Sequence, residues 1–151
     1  MLRDTNDLVD FIVKTYRGSE KIIEVGVGSQ PWIAKRIKEC LGETRVIVTD
    51  NNRSNLDYVR RFLSDVEIVQ DDIFSPRIRI YEGARLVYSI RPPTEIVLEL
   101  LKLSLILGFD MLVRPYSDEE GGYTYPKKSG WQQMLHGKSV FNWLTGHAFT
   151  S

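Results

Sequence analysis

Glu24-Val25-Gly26-Val27-Gly28-Ser29-Gln30-Pro31 is the stretch on which the fold turns. An apolar pair, Ile22-Ile23, precedes it, and a helix-like run from Trp32 to Leu41 follows. Strand, glycine loop and helix in that order open a nucleotide- or cofactor-binding α/β unit. An acid, Glu24, stands just before the first glycine. A dinucleotide would set its pyrophosphate on the following helix N-terminus, where backbone N–H groups and the helix dipole favour anions. A carboxylate there opposes a pyrophosphate and suits a cofactor that carries positive charge. Pro31 also takes the third glycine place of Gly-x-Gly-x-x-Gly, where helix and strand must pack closely.

Outward from this loop, strand and helix patterns alternate. Asp7 to Tyr16 reads as a helix with Leu8, Ile12 and Tyr16 on one face, capped by Thr5 or Asn6 and ended by Gly18. Lys21 to Val25 is a short buried strand. Pro31 suits a first helical position with Ser29 or Gln30 as cap. Ile33, Ile37 and Leu41 form the stripe of that helix, and Gly42 closes it. Arg45 to Thr49 is a second strand. Ser54 caps a third helix with Leu56, Val59 and Phe62-Leu63 as its buried side. Val66 to Val69 is a third strand. Ser75 to Tyr81 is open: Ile78 and Ile80 alternate like a strand, while its place in the order asks for a short helix. Arg85 to Ile90, a helix from Pro93 or Thr94 to Leu107 ended by Gly108, and a strand from Asp110 to Arg114 complete the alternation. Tyr116 to Gly130 reads as a loop. Trp131 to Leu135 and Ser139 to Trp143 flank His136-Gly137-Lys138 as a hairpin.

This order predicts a doubly wound, mostly parallel, Rossmann-like α/β sheet with a C-terminal antiparallel hairpin. At 151 residues a single domain over 1–151 is the expectation. A chain of this size buries roughly 70% of its unfolded surface, enough for a core without staples. Lys plus Arg number 20 and Asp plus Glu number 20, so net charge points to no polyanionic partner, and nucleic acid is not expected. The one cysteine, Cys40, excludes an internal disulfide framework and suits a reducing cytoplasm. It reads as a small core or boundary residue. The greasy segment Val97 to Leu107 is broken by Glu99 and Lys102 and is too short to span a bilayer. No His, Cys or Asp cluster has metal-ligand spacing.

Two further signals fall after the next two strands. Asp50 ends Arg45-Val-Ile-Val-Thr-Asp. An acid at the carboxyl end of strand two accepts from a ribose diol, which suits NAD or S-adenosylmethionine (SAM). Gln70-Asp71-Asp72-Ile73-Phe74 follows strand three. An Asp here can accept from an adenine amino group, with Ile73 or Phe74 against the ring. Each signal alone has a bland reading as a turn or cap. Together they stand in register with three successive strands whose carboxyl ends form one crevice.

Glu24-x-Gly26-x-Gly28, Asp50 and Asp72-Ile73-Phe74 resemble the first three cofactor motifs of class I SAM-dependent methyltransferases. The run Tyr81-Glu-Gly-Ala-Arg-Leu-Val-Tyr-Ser-Ile-Arg-Pro-Pro93 resembles a small, uncharacterised, mainly archaeal family of methyltransferase-fold proteins. The resemblance implies SAM as cofactor and Glu24, Gly26, Gly28, Asp50, Asp72 and Ile73 as its binding residues. It implies no particular reaction. Many methyltransferases have a third glycine where this chain has Gln30, which narrows the space for the methionine moiety.

Many amino-group methyltransferases follow strand four with Asn or Asp, Pro-Pro and an aromatic residue. Here Arg91 and Thr94 flank Pro92-Pro93. A guanidinium has no acceptor and cannot polarise an amine, but it clamps a carboxylate or phosphate with two parallel bonds. Arg91 is therefore the candidate substrate clamp, and Pro92-Pro93 also serves as a stiff strand-to-helix turn. Tyr88 and Tyr116 are candidates either for a substrate pocket or for packing. His136 reads as a turn residue and His147 as part of a fraying tail. Trp131, Phe141 and Trp143 read as cover for the sheet. The function expected is SAM binding, with methyl transfer to a small or anionic substrate. The alternatives are a non-catalytic SAM-binding or scaffold subunit, and a nucleotide- or NAD-binding protein. With so little chain outside the core, substrate recognition calls for the N-terminal helix, the 116–130 loop, or a homo-oligomer or partner subunit.

Overall fold

The computed structural model describes residues 2–116 and 130–146. The elements run α1 (Thr5–Tyr16), β1 (Lys21–Val25), α2 (Trp32–Cys40), β2 (Arg45–Asp50), α3 (Arg53–Arg60) and β3 (Glu67–Gln70). They continue with α4 (Ile78–Tyr81), β4 (Ala84–Ile90), α5 (Thr94–Leu107), β5 (Asp110–Arg114), β6 (Gln132–His136) and β7 (Ser139–Leu144). The seven strands form one sheet in the order β3-β2-β1-β4-β5-β7-β6. β1 to β5 are parallel, and β7 joins them antiparallel to β5, with β6 paired to it at the edge. The sheet is therefore doubly wound and mostly parallel, with the hairpin attached through its second strand. Most of the 116–130 loop, and His147, lie outside the described residues.

Both faces are covered, so the central strands are apolar on both sides. Ile22, Val46, Val48, Leu86 and Tyr88 face one way, against Leu8, Ile12 and Tyr16 of α1, Ile37 of α2 and Leu56 of α3. Ile23, Val25, Ile47 and Val87 face the other, against Tyr81 of α4 and Leu100 and Leu103 of α5. Phe141 of β7 joins the first group and Leu144 the second.

Several ends are made differently from the sequence expectation. α1 starts at Thr5 with Asp4 as its N-cap, yet the Asp4 side chain makes no capping bond. Its carboxylate is spent on Arg114 and Ser139 instead. α2 starts after Pro31, also without a side-chain cap. It ends at Cys40, and Gly42 is not in the left-handed region; the Lys38 ammonium closes this end by donating to the carbonyls of Gly42 (3.0 Å) and Thr44 (2.8 Å). Asn52, not Ser54, caps α3, its Oδ1 accepting from the N–H groups of Ser54 (2.8 Å) and Asn55 (3.2 Å). Phe62 and Leu63 lie beyond that helix, and Phe62 meets the Trp32 and Tyr58 rings with centroids 5.3 Å apart in both cases. The ambiguous segment forms the single turn α4, whose end is held by buried Lys21 donating to the carbonyls of Ile80 and Glu82. Cys40 is exposed, not a core residue.

The hairpin turn is also tighter than read. His136 is the last residue of β6, paired with Ser139, and Gly137-Lys138 make the turn. Gly137 has φ +61, and a Cβ there would sit 2.4 Å from the Asp7 carboxyl carbon. Trp143 does cover the sheet: its Nε1 donates to the Tyr16 hydroxyl at 2.8 Å, and that hydroxyl donates to Asp110 at 2.7 Å.

Candidate functional site

The site begins with the backbone of the glycine loop. Leaving β1, the chain reverses through Gly26 (φ +74) and Gly28 (φ +57), both in the left-handed region that side chains disfavour. The N–H groups of Gly26 and Val27 donate to the Thr49 carbonyl at 2.9 and 3.0 Å, tying the loop to β2. A Cβ on Gly28 would meet no atom within 4 Å, so the face of the loop is open.

Asp50 holds the other side of that loop. Its Oδ2 accepts from the Gly28 N–H and its Oδ1 from the Asn52 N–H, both at 2.8 Å. Asn55 Nδ2 adds a contact at 3.5 Å. A carboxylate has about four lone-pair sites. Asp50 thus keeps acceptor capacity toward the crevice while it fixes the loop, and it is 8% exposed.

The two acids after β3 divide. Asp71 is buried and accepts from the Tyr81 hydroxyl (2.8 Å), the Arg77 N–H (3.1 Å) and the Arg77 guanidinium (3.3 Å). It fastens the β3–α4 connection. Asp72 is exposed, with Oδ1 accepting from the Phe74 N–H at 2.9 Å. Ile73 is buried against the α5 side, and Phe74 is half exposed. Gly26, Asp50, Asp72, Ile73 and Phe74 line one cleft of about 220 Å³. It lies at the carboxyl ends of β1, β2 and β3, beside the point where strand order reverses between β1 and β4.

Glu24 lies elsewhere. It is buried on the α1–α2 face of β1, and its Oε1 accepts from the Tyr88 hydroxyl at 2.7 Å. It lines neither this cleft nor the one described next. Burial pushes its carboxyl up from the ordinary 4.5 to about 8; the Tyr88 hydrogen bond opposes the rise and the Asp50 charge adds to it. Tyr88 is likewise raised, by burial and then by Glu24. At neutral pH Glu24 therefore holds its proton, and it presents no negative charge to the loop.

A second, larger cleft opens on the other side of the glycine loop. Its volume is about 610 Å³, and its lining includes Arg3, Gln30, Trp32, Arg91, Arg114 and Tyr116. Arg91 sits at φ +51, a left-handed conformation that is strained for any residue with a side chain. Its N–H donates to the Arg114 carbonyl at 2.6 Å, and its guanidinium lies 5.3 Å from the Tyr116 ring centroid. Arg114 is spent internally: it is bonded to both oxygens of Asp4 and to the carbonyls of Pro115 and Tyr116. Burial would raise the Asp4 carboxyl, but the bonds from Arg114 and Ser139 and the guanidinium charge outweigh it and hold Asp4 low.

Of the residues singled out in the sequence, Gly26, Asp50, Asp72 and Ile73 meet in the first cleft, with Gly28 bonded to Asp50 at its edge, and Arg91 stands in the second. Arg3, Trp32 and Arg114 went unread as site residues, because nothing local links them. Among the described residues no group of three or more His, Cys, Asp or Glu is arranged to hold a metal, and no helix is long and apolar enough to cross a membrane.

Solved structures with this fold include SibL, an S-adenosylmethionine-dependent methyltransferase in its apo form. Its TM-score is 0.66 at 16% identity, covering 93% of this chain and 53% of that one. A TehB-like SAM-dependent methyltransferase from Corynebacterium glutamicum gives a TM-score of 0.63 at 13% identity over 90% and 84%. At these identities the likeness is one of fold, and the chain spans about half of SibL. Closer in sequence are UPF0146 proteins of two archaea. That of Pyrococcus abyssi is 39% identical over 113 residues, covering 75% of this chain and 82% of the relative. That of Methanothermobacter thermautotrophicus is 32% identical over 120 residues, covering 76% and 78%. The pattern of UPF0146, an uncharacterised protein family, matches residues 5–128, and the chain belongs to that family.

Proposed function

We propose that this chain binds SAM in the cleft of Gly26, Asp50, Asp72, Ile73 and Phe74, and passes its methyl group to a small anionic acceptor held at Arg91. The observation that carries this reading is the convergence of three separate loops on one crevice at the switch point. Asp50 would accept from a ribose hydroxyl with its remaining Oδ1 lone pair. Asp72 would accept from the adenine amino group, with Ile73 and Phe74 against the ring. The methionine end would run past the glycine loop toward the second cleft. The SAM-dependent methyltransferases that share this fold support the choice of cofactor.

The chemistry asks little of the protein beyond placement. An acceptor oxyanion attacks the methyl carbon in line with the carbon–sulfur bond. That bond's electrons would stay with sulfur as the sulfonium becomes a thioether, and a carboxylate acceptor would leave as a neutral methyl ester. No proton leaves, so no base is needed. The described residues lining the second cleft include no carboxylate and no histidine.

One observation favours a second reading, a dinucleotide. With Glu24 buried and protonated, the electrostatic objection to a pyrophosphate falls away. Pro31 and the use of the Gly28 N–H by Asp50 stand against it. Calorimetric titration of the purified chain with SAM, S-adenosylhomocysteine and NAD separates the two. Binding of the first two in preference to NAD is the expected result. NAD binding with neither sulfur ligand bound at millimolar concentration refutes the proposal.

A further inference from the structure

We propose that the second cleft is a binding site for a planar, apolar molecule ending in an oxyanion, with Arg3 and Arg91 taking the anion and Trp32 the flat body. This rests on the reading above for its catalytic meaning, though not for its binding chemistry.

The first argument is charge. Three arginines line the cleft, and Arg114, partly buried, is neutralised by the buried Asp4. Among the described residues neither Arg3 nor Arg91 has an ion-pair partner. Two exposed guanidiniums therefore face a cleft that offers no opposing carboxylate, where low-dielectric walls concentrate their field. A guanidinium fork matches carboxylate or phosphate with paired bonds.

The second argument is shape. A volume of about 610 Å³ is in the range of small-molecule sites. Leu2, Trp32, Ile33 and Ile90 give the cleft an apolar wall. Trp32 is half-buried, packed edge-on against Phe62. Its indole is thus held in place on a residue that lines the cleft.

The third argument is strain. The backbone holds Arg91 in a conformation that glycine would adopt freely. The Arg114 carbonyl fixes it there through the 2.6 Å bond, and the Tyr116 ring contacts its guanidinium. A large cation kept at a glycine-type position on a cleft wall is what a pre-set clamp requires.

The test titrates untagged protein with 2-naphthoate and with its neutral isostere 2-naphthamide, with and without saturating S-adenosylhomocysteine. Naphthoate should bind at least tenfold tighter than naphthamide. Arg3→Ala and Arg91→Ala should each remove most of that preference, and Trp32→Leu should weaken both probes. Both arginines are exposed, so these variants retain the fold, which circular dichroism checks. Equal affinity for the two probes, or an unchanged preference in both arginine variants, overturns the proposal. So does competition between naphthoate and S-adenosylhomocysteine, because the cleft would then belong to the cofactor's own tail. Arginine-dependent naphthoate binding with no S-adenosylhomocysteine binding supports this site and sinks the cofactor reading alone.

Discussion

The two clefts beside the glycine loop are built on opposite plans. The smaller draws its lining from turns that immediately follow β1, β2 and β3, plus Ile96 of α5. Each turn carries its own signature; those after β2 and β3 are set by contacts close in sequence, such as Asp50 to Asn52 and Asp72 to Phe74, and the glycine loop by bonds to the adjacent strand β2. The larger is assembled from four distant places: the N-terminal arm, the start of α2, the end of β4 and the end of β5. Its walls are held by long-range bonds, above all Asp4 to Arg114 and Ser139. The difference teaches that within one fold a cofactor-type crevice follows from the strand ends themselves. A neighbouring pocket depends on how the chain's remote parts are tied together.

The strongest way to break that contrast is to cut the tie. Asp4→Ala leaves the partly buried Arg114 guanidinium without its carboxylate partner. A loss of about 1.5–3 kcal/mol is expected in urea unfolding, the range for hydrogen bonds to a charged group. Naphthoate binding should weaken more than S-adenosylhomocysteine binding. Equal weakening would mean that the clefts do not rest on separate supports.

Glu24 sharpens the contrast from below. Between about pH 4.5 and about pH 8 the folded chain keeps a proton that the unfolded chain has released. Stability should therefore fall as pH rises through that window, by up to about 1.4 kcal/mol per unit, and level off above it. Glu24→Gln should abolish the slope and leave ligand binding in place. A wild-type stability that is flat across the window would contradict the buried, protonated acid.

Asp50→Ala should act on the first cleft alone. It removes the acceptor of the Gly28 and Asn52 N–H groups as well as the ribose partner. The expected loss of S-adenosylhomocysteine affinity is about 1.5–3 kcal/mol, or about 10- to 150-fold, read by calorimetry. Naphthoate affinity should stay as in wild type.

The smallest effect is on stability at Arg91. Arg91→Gly relieves the left-handed strain, so the melting temperature should hold or rise, by up to about 1 kcal/mol in stability. Naphthoate preference should vanish at the same time. A clear drop in melting temperature would show that the Arg91–Tyr116 contact supports the fold and is not a clamp.

These contrasts explain what was legible in the sequence. The glycine loop, Asp50 and Asp72-Ile73-Phe74 could be read because strand periodicity places each at a strand end, and the doubly wound order brings strand ends together. Glu24 stands out in the sequence by its place two residues before the first glycine; that alternation along β1 turns it to Tyr88, a partner 64 residues away, is not legible there. Asp71 and Asp72 were adjacent acids with one appearance. Only the Tyr81 hydroxyl and Arg77 distinguish the structural one. Asn52 and Lys38 took over helix ends assigned to Ser54 and Gly42, since nearby polar side chains compete for the same orphan groups. Of the second cleft, only Gln30, Arg91 and Tyr116 are marked in the sequence as bordering a ligand. Arg3, Trp32 and Arg114 meet there through β4–β5 pairing and the packing of α1 on α2, which no local pattern encodes.

The central claim is that the first cleft receives the adenosine of SAM, and amide chemical-shift mapping with S-adenosylhomocysteine tests it most directly. The account predicts that the largest shifts fall on Gly26, Gly28, Asn51, Asp72 and Phe74, with smaller ones at Gln30 where the methionine end would pass. Shifts confined to the residues of the larger cleft, or none at millimolar ligand while NAD moves the glycine loop, would contradict it.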